Sequence, residues 1–527
     1  MQRTFLLQLF AIVAVVLIGA GLDLMEVDAT HYASISRDML VNGDVLQVHY
    51  RNADYLDKPP LLFWLSALSF DLFGVHDWSY RAPSILFAFL GLYSTYRFAL
   101  LYHGKEVART AVLMFGASIA FFLMCNDVRC DTILTASVIT AIWLGCAWLN
   151  EARWWQLFGL AGAVSSGMLV KGPIGALAPA FAIGAQLLFG RQWSRLRDPR
   201  LLLLPLIVAL ALLPMCIGLY QQHGWHGVRF YFWEQSFGRI TGENRWKDDS
   251  SGLFFLHEVL WQTLPWTLFV LLGCWRDVRN VFQRVRLPEY ASFFGAATIM
   301  VALSFSQFKL PHYLYITLPL FAVLAAKGHH AALSSGWYRG QAALAVLLWC
   351  GALALAWVVF PTARLPFVPF VAIVGLLITL LFRRMDLKNA SFTASFWVMI
   401  TVGVVLNGQF YPGLLRYQAN AQAGHWAAAR GLDDKHFFGF QVAGTALDYY
   451  AGHPVAWLST VSEAKDVIAP GVVIYTDAEH RDGLWRAGLI PQKEDVLTNY
   501  TVQMLGIPFL LPDRREAVLE RRYILQY

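Results

Sequence analysis

From Phe5 to Leu22 the chain is apolar at every position except Gln8. In hydrocarbon every backbone N–H and C=O must find its partner within the protein, so a run of this kind can only be helical. It is longer than the roughly 7–15 residue core of a signal peptide and reads as a retained membrane helix. Comparable runs lie near 82–102, 107–125, 132–149, 154–170, 173–189, 201–220, 253–274, 290–306, 312–330, 341–360, 365–382 and 392–411, which predicts thirteen spans. Charged residues make up 14% of the chain and hydrophobic types 57%. Soluble domains carry about 25% charge, so an ordinary soluble enzyme is excluded, and the 15% of aromatic residues excludes a disordered chain.

Charge also predicts orientation. The segments 1–4, 103–109, 150–155, 190–200, 275–289, 327–340 and 382–391 alternate with the remaining loops and hold 17 Lys and Arg. The opposite set, including 23–81 and 223–252, holds 12 in a longer stretch of chain. Basic loops stay in the cytoplasm. The N-terminus is therefore expected inside, with the first loop, the large loop and the C-terminus outside. Acidic residues run the other way, 15 outside against six inside, and charge-based orientation does not account for them. Chemistry at the outer face is one reason for such an excess. The net charge of +6 is scattered between apolar runs and implies no nucleic-acid partner, and none of the six cysteines suggests a disulfide framework.

After Pro412 the last 115 residues hold 11 basic and 13 acidic side chains. Short apolar runs at Phe437–Val442, Val455–Leu458 and Val472–Tyr475 alternate with helical stretches near Ala446–Tyr450 and Ser462–Ile468. The fold class expected is an α-helical polytopic membrane protein, residues 1–412, with a small C-terminal α/β extracytoplasmic domain, residues 413–527.

The first outer loop, 23–81, concentrates reactive groups. An amphipathic helix is predicted from Ala29 to Val41, stopped by Asn42-Gly43. Its apolar positions Ile35, Met39 and Leu40 suit a helix lying on the membrane surface. Asp28 stands where an N-cap belongs, and it is equally an ionisable group at the membrane face. Asp57-Lys58 abuts Pro59-Pro60 at the start of an apolar helix, so Lys58 either reaches for headgroups or binds an anion, and Asp57 is a natural ion-pair partner. Asp127, Arg129 and Asp131 open another span, where acids also match the helix dipole. Lys309, His312 and Tyr313 mark a third outer edge. Carboxylates and cations at the outer face of a large apolar body suit a lipid-linked phosphate, its tail among the spans and its phosphate on lysine or arginine. If that phosphate carries a sugar, transfer needs one base and a cationic clamp, because a phosphate leaves without the general acid that an alkoxide requires. Asp28 is the candidate base and Lys58, with Lys309 and Arg81, the candidate clamp.

The series Val27-Asp28-Ala29-Thr30-His31-Tyr32, then Tyr55-Leu56-Asp57-Lys58-Pro59-Pro60-Leu61, then Phe73-Gly74-Val75, Arg81-Ala82-Pro83, Arg129-Cys130-Asp131 and Lys309-Leu310-Pro311-His312-Tyr313 resembles the aminoarabinose transferase and protein O-mannosyltransferase-like group. These are integral-membrane glycosyltransferases of GT-C type. The resemblance covers residues 5–330 and implies a polyprenyl-phosphate sugar donor, an outward-facing site in the bacterial inner membrane, and inversion at the anomeric carbon. It implies a lipid A, envelope glycan or protein acceptor, and a sugar that is an aminopentose or a hexose. It places the catalytic acids on Asp28 and Asp131, the phosphate-contacting lysine on Lys58, and a motif that helps hold the donor phosphate on Lys309–Tyr313, whereas Arg81 is a clamp candidate from its charge and position alone. It also implies a divalent metal ion beside the lysine. Here the large loop reads Glu243-Asn244-Arg245-Trp246-Lys247-Asp248-Asp249, without the histidine such enzymes use, so Asp57 with Asp248 or Asp249 would form an oxygen-only site suited to Mg²⁺ or Ca²⁺. Ala29 likewise replaces the acid that commonly follows the proposed base. Two other readings compete. A transporter or flippase for a lipid-linked or polar solute would place its charges at mid-span and repeat its halves, but apart from Arg97 and Glu258 the notable charges sit at span edges, and no halves resemble each other. A C-terminal binding module on a membrane scaffold is the other.

Overall fold

The computed structural model describes residues 2–235, 238, 250–360 and 364–527. Among them, six helices are long and apolar enough to cross a membrane, and four apolar helices of 10–17 residues accompany them. One expected connection is absorbed into a kinked helix, and one expected span is broken. The helix α4, Asp77–Gly116, joins 82–102 to the next run through Gly104, whose φ of 77° interrupts the helical path. The run 253–274 divides into Phe254–Gln262 and Thr267–Phe282 around Pro265, which has no N–H to continue the ladder. Length and hydropathy thus support a multi-helix membrane body among the described residues.

At the centre stands α6, Cys130–Glu151, whose apolar stretch is buried on all sides. It packs against α4, against α7 (Trp154–Lys171) and α8 (Ile174–Phe189), and against the turn Pro311–Thr317. Two of its buried hydroxyls are bonded, Thr132 to the Met124 carbonyl at 2.9 Å and Thr140 to Ser94 at 2.7 Å. The α7–α8 hairpin is unusually tight. A Cβ on Gly175 would lie 2.1 Å from the carbonyl carbon of Gly167, so only glycine lets these backbones meet. Gly172, at φ 82°, turns the chain and leaves Lys171 at the hairpin tip.

The first helix, α1 (Gln2–Ala20), leads through a short connection into α2 (Asp28–Asn42). Gly43 stops α2 in a left-handed conformation, φ 70°, its N–H donating to the Met39 carbonyl at 3.0 Å. The predicted stop is the observed one, but the predicted surroundings are not. Ile35 and Met39 join the main hydrophobic core rather than a lipid face, because α2 packs against α3 (Leu61–Phe73) on one side and the helix Thr445–Ala451 on the other. Between α2 and α3 a two-residue hairpin pairs β1 (His49–Tyr50) with β2 (Ala53–Asp54). Arg51 and Asn52 both have positive φ, 53° and 62°, as a type I′ turn demands.

The chain ends in a five-stranded sheet of order β4-β3-β5-β7-β6. Strands β3 (Phe437–Phe440), β4 (Ala456–Leu458) and β5 (Val473–Asp477) are parallel, whereas β7 (Glu520–Gln526) runs antiparallel between β5 and β6 (Lys493–Asn499). The three apolar runs and both helical stretches noted after Pro412 appear as elements. The polar strands β6 and β7 do not announce themselves, since Lys493-Glu494-Asp495 and Glu520-Arg521-Arg522 carry no apolar alternation at their starts.

Candidate active site

Helix beginnings converge here. Asp28 is the first residue of α2, Asp57 and Lys58 precede the Pro59-Pro60 entry to α3, and Arg129 and Asp131 flank the first turn of α6. The tip of the α7–α8 hairpin adds Lys171, and the turn Pro311–Thr317 adds His312 and Tyr313. N-termini concentrate partial positive charge, which favours an anion between them.

These residues line a polar cavity of about 210 Å³ whose wall contains three carboxylates, Asp28, Asp57 and Asp131, and three cations, Lys58, Arg129 and Lys171. A second cavity, about 200 Å³, is walled mainly by apolar side chains including Leu134, Ile174, Leu177, Phe181 and Leu303. Lys58, Asp131, Lys171 and Tyr313 line both. Cationic groups therefore stand at the junction of an apolar chamber and a polar one, which is the arrangement a lipid phosphate requires.

Asp28 does not cap its helix. Val27 occupies the N-cap position without a side-chain bond, and the Asp28 carboxylate pairs with the Arg129 guanidinium at 2.8 Å. Arg129 also holds Asp127 at 2.8 Å and approaches the His312 ring at 3.5 Å. Asp131 accepts from the Lys171 ammonium at 2.5 Å and lies 3.8 Å from His312. Lys58 contacts Asp57 at 2.6 Å and turns inward, its side chain 16% exposed, rather than reaching for headgroups. The Lys171 ammonium sits 4.4 Å from the centre of the Tyr313 ring. Behind Asp28, His31 packs tilted against the Tyr50 ring and edge-on to Tyr55, and burial holds its imidazole below the usual histidine range.

Asp28, Asp57, Lys58, Asp131 and Tyr313 are thus brought together, and two proposed clamp residues are not. Arg81 is 1% exposed and donates to the backbone carbonyls of Asn126, Ala20, Leu22 and Asp23. It holds the end of α1 against α5 (Ile119–Asn126), and with its donors engaged on carbonyls it lines neither cavity. Lys309 donates to the Ser250 carbonyl at 3.2 Å, and although its neighbours Phe308 and Leu310 line the polar cavity, Lys309 is absent from both linings among the described residues. Asp248 and the rest of 243–249 lie outside the described residues. Asp57 supplies one carboxylate, already against an ammonium, and among the described residues no group of three His, Cys, Asp or Glu side chains gathers around a point that could hold an ion. Among the described residues the carboxylates present do not form a metal site.

Lys171 is the residue that motif reading passed over. Its signal was present, a lone lysine in a one-residue connection followed by Gly172-Pro173, but only the packing of α7 on α6 brings it to Asp131.

Residues 57–217 match the model of the dolichyl-phosphate-mannose-protein mannosyltransferase family. An undecaprenyl phosphate-alpha-4-amino-4-deoxy-L-arabinose arabinosyl transferase of Erwinia tasmaniensis is 28% identical over 326 residues, 58% of this chain and 55% of the relative. The chain thus spans about half the length of that relative. The transferase of the same name from Serratia proteamaculans is 27% identical over 447 residues, covering 80% and 72%. The crystal structure of ArnT from Cupriavidus metallidurans bound to undecaprenyl phosphate superimposes with a TM-score of 0.76 at 19% identity, covering 98% of this chain and 97% of the other. The resemblance carried by the motifs is borne out, and the fold is that of the aminoarabinose transferases.

Proposed function

We propose that this chain is an inverting, polyprenyl-phosphate-dependent glycosyltransferase that moves an aminopentose of the 4-amino-4-deoxyarabinose class from undecaprenyl phosphate to lipid A. The reading rests on one observation above the others: Lys58, Lys171, Asp131 and Tyr313 are shared by the apolar and polar cavities. A polyprenyl tail occupies the apolar chamber, the sugar the polar one, and the phosphate the junction.

Asp28 acts as general base, accepting the proton of the acceptor oxygen as that oxygen attacks the anomeric carbon opposite the phosphate. The bond from the anomeric carbon to the phosphate oxygen breaks, and its electron pair leaves with the polyprenyl phosphate. The charge that develops there falls on Lys58 and Lys171, already fixed by Asp57 and Asp131. Arg129 orients the Asp28 carboxylate, and Tyr313 orients Lys171. The catalytic role of Asp131 is to hold the second ammonium at the leaving group.

In this reading the body, residues 1–412, lies in the bacterial inner membrane with its N-terminus in the cytoplasm, thirteen passages, and the active site at the periplasmic face. Residues 413–527 form a periplasmic domain. The test is mass spectrometry of envelope lipids from cells with and without the gene and with Asp28→Asn. Loss of an aminopentose-modified lipid in both deficient strains supports the reading, and full modification with Asp28→Asn removes Asp28 as base.

A further inference from the structure

The connection that delivers Asp28, residues 21–27, is bonded to side chains and backbone from 418–450, nearly 400 positions away in the chain. Gln418 grips it twice, accepting from the Glu26 N–H at 2.8 Å and donating to the Leu24 carbonyl at 2.9 Å. The Tyr450 hydroxyl accepts from the Leu24 N–H at 2.6 Å. Thr445 donates to the Val27 carbonyl at 3.0 Å and meets the Thr30 hydroxyl at 2.7 Å. The Glu26 carboxylate accepts from the Asn420 amide at 2.9 and 3.0 Å and from the Ala446 N–H at 3.3 Å. Asn420 in turn accepts from the hydroxyl of Tyr475, a fully buried residue of β5.

None of this polar network touches either cavity, yet it ends one residue from the proposed base. The approach is close by construction: a Cβ on Gly444 would lie 2.1 Å from the Asn420 amide nitrogen and 2.5 Å from a Glu26 carboxylate oxygen. A second attachment lies beyond α2. Asp448, 1% exposed, receives the Arg51 guanidinium at 2.9 Å and the Tyr50 hydroxyl at 3.1 Å, holding the positive-φ turn that leads to Asp57 and Lys58. Both ends of the segment that carries the base and the first cation are fastened to the C-terminal sheet and its helices.

We propose that the C-terminal sheet region is a positioning device for the general base, acting through the relay Tyr475–Asn420–Glu26. The proposal rests on the reading of Asp28 as base. Glu26 and Asn420 are positioning residues, with no contact to the reacting atoms. A carboxylate displaced by about 1 Å loses roughly a hundredfold in rate, so the expected consequence of loosening the relay is a lower kcat at nearly constant donor KM.

The experiment uses the full-length protein in lipid nanodiscs with Asn420→Ala, Glu26→Ala, Glu26→Gln and the near-isosteric Thr445→Val. Two quantities are read: hydrogen exchange of the amides of residues 24–30, and steady-state transfer from undecaprenyl-phosphate-linked aminoarabinose. Asn420→Ala is expected to speed exchange in 24–30 by about tenfold, the weight of one hydrogen bond to a charged group, and to lower kcat by about 10- to 100-fold. Donor KM should stay within about twofold if only alignment is lost. Glu26→Gln should keep most of the activity that Glu26→Ala loses, since a side-chain oxygen remains for Ala446. Thr445→Val, which preserves shape, should reproduce the effect more weakly and serves if Asn420→Ala does not fold. Faster exchange with unchanged kcat would make the contact merely structural and overturn the proposal, as would unchanged exchange. A wild type that binds the donor but transfers nothing would defeat the enzymatic reading instead, and the exchange measurement would still decide whether the relay holds the segment.

Discussion

Replacing Lys171 with methionine separates two roles that the same ammonium would play. Its nitrogen lies 2.5 Å from Asp131, whose side chain is 6% exposed. At that distance, with an effective dielectric of about 20, the attraction is ~6–7 kcal/mol before desolvation is subtracted. Removing one partner of such a buried pair leaves an uncompensated carboxylate, and the expected loss of stability is about 3–5 kcal/mol. His312, at 3.8 Å, is too distant to replace the lysine. Pairing the change with Asp131→Asn removes the stranded charge, so Lys171→Met/Asp131→Asn should recover all but about 1–2 kcal/mol. Transfer should not recover with it. Losing a preorganised cation at the leaving group costs about 10²–10³ in kcat, the loss measured when a single oxyanion donor is removed. Unfolding in detergent followed by tryptophan fluorescence gives the first quantity, and transfer from the lipid-linked sugar gives the second. A double variant that regains both stability and activity would refute the role of Lys171 at the phosphate. A single variant as stable and active as wild type would refute the pairing itself.

Three further outcomes follow from the same structure. Desolvation by burial, helped by the nearby Asp448 charge, outweighs the hydrogen bonds from Asn420 and Ala446 and raises the Glu26 carboxyl above the ordinary carboxylate range, so its contribution to docking is full below the unfolded-state value and fades as pH rises through the raised folded value. Glu26→Gln should flatten that dependence of stability on pH in the carboxylate range, and an unchanged profile would assign it elsewhere. Arg81→Met should destabilise by several kcal/mol, because four buried carbonyl contacts lose a charged donor, and unfolding midpoints of wild type and variant read it directly. Gly43→Ala, forcing a side chain into φ 70°, should cost about 1 kcal/mol of stability without changing donor KM.

What one-dimensional pattern determines in this chain is whatever depends on local periodicity and composition. The apolar runs, the stop of α2 at Asn42-Gly43, the proline entry to α3 and the parallel strands β3, β4 and β5 are all legible, because each is decided by residues within a turn or two. The grouping of Asp28, Asp57, Lys58, Asp131 and Tyr313 was legible through motif resemblance and not through distance in the chain. Tertiary packing decided the rest. Arg81 and Lys309 look like phosphate ligands as isolated cations on outer edges, and only their surroundings reveal carbonyl partners. Lys171 looks like a loop residue until the glycine-tight α7–α8 hairpin carries it to Asp131. Ile35 and Met39 look lipid-facing until α3 and Thr445–Ala451 cover them. Glu26 carries no motif at all, and its importance arises from a contact with Asn420 almost 400 residues away. The physical reason is common to these cases. A side chain's charge and shape are fixed by its own chemistry, but which group satisfies it depends on what long-range packing brings within 3 Å.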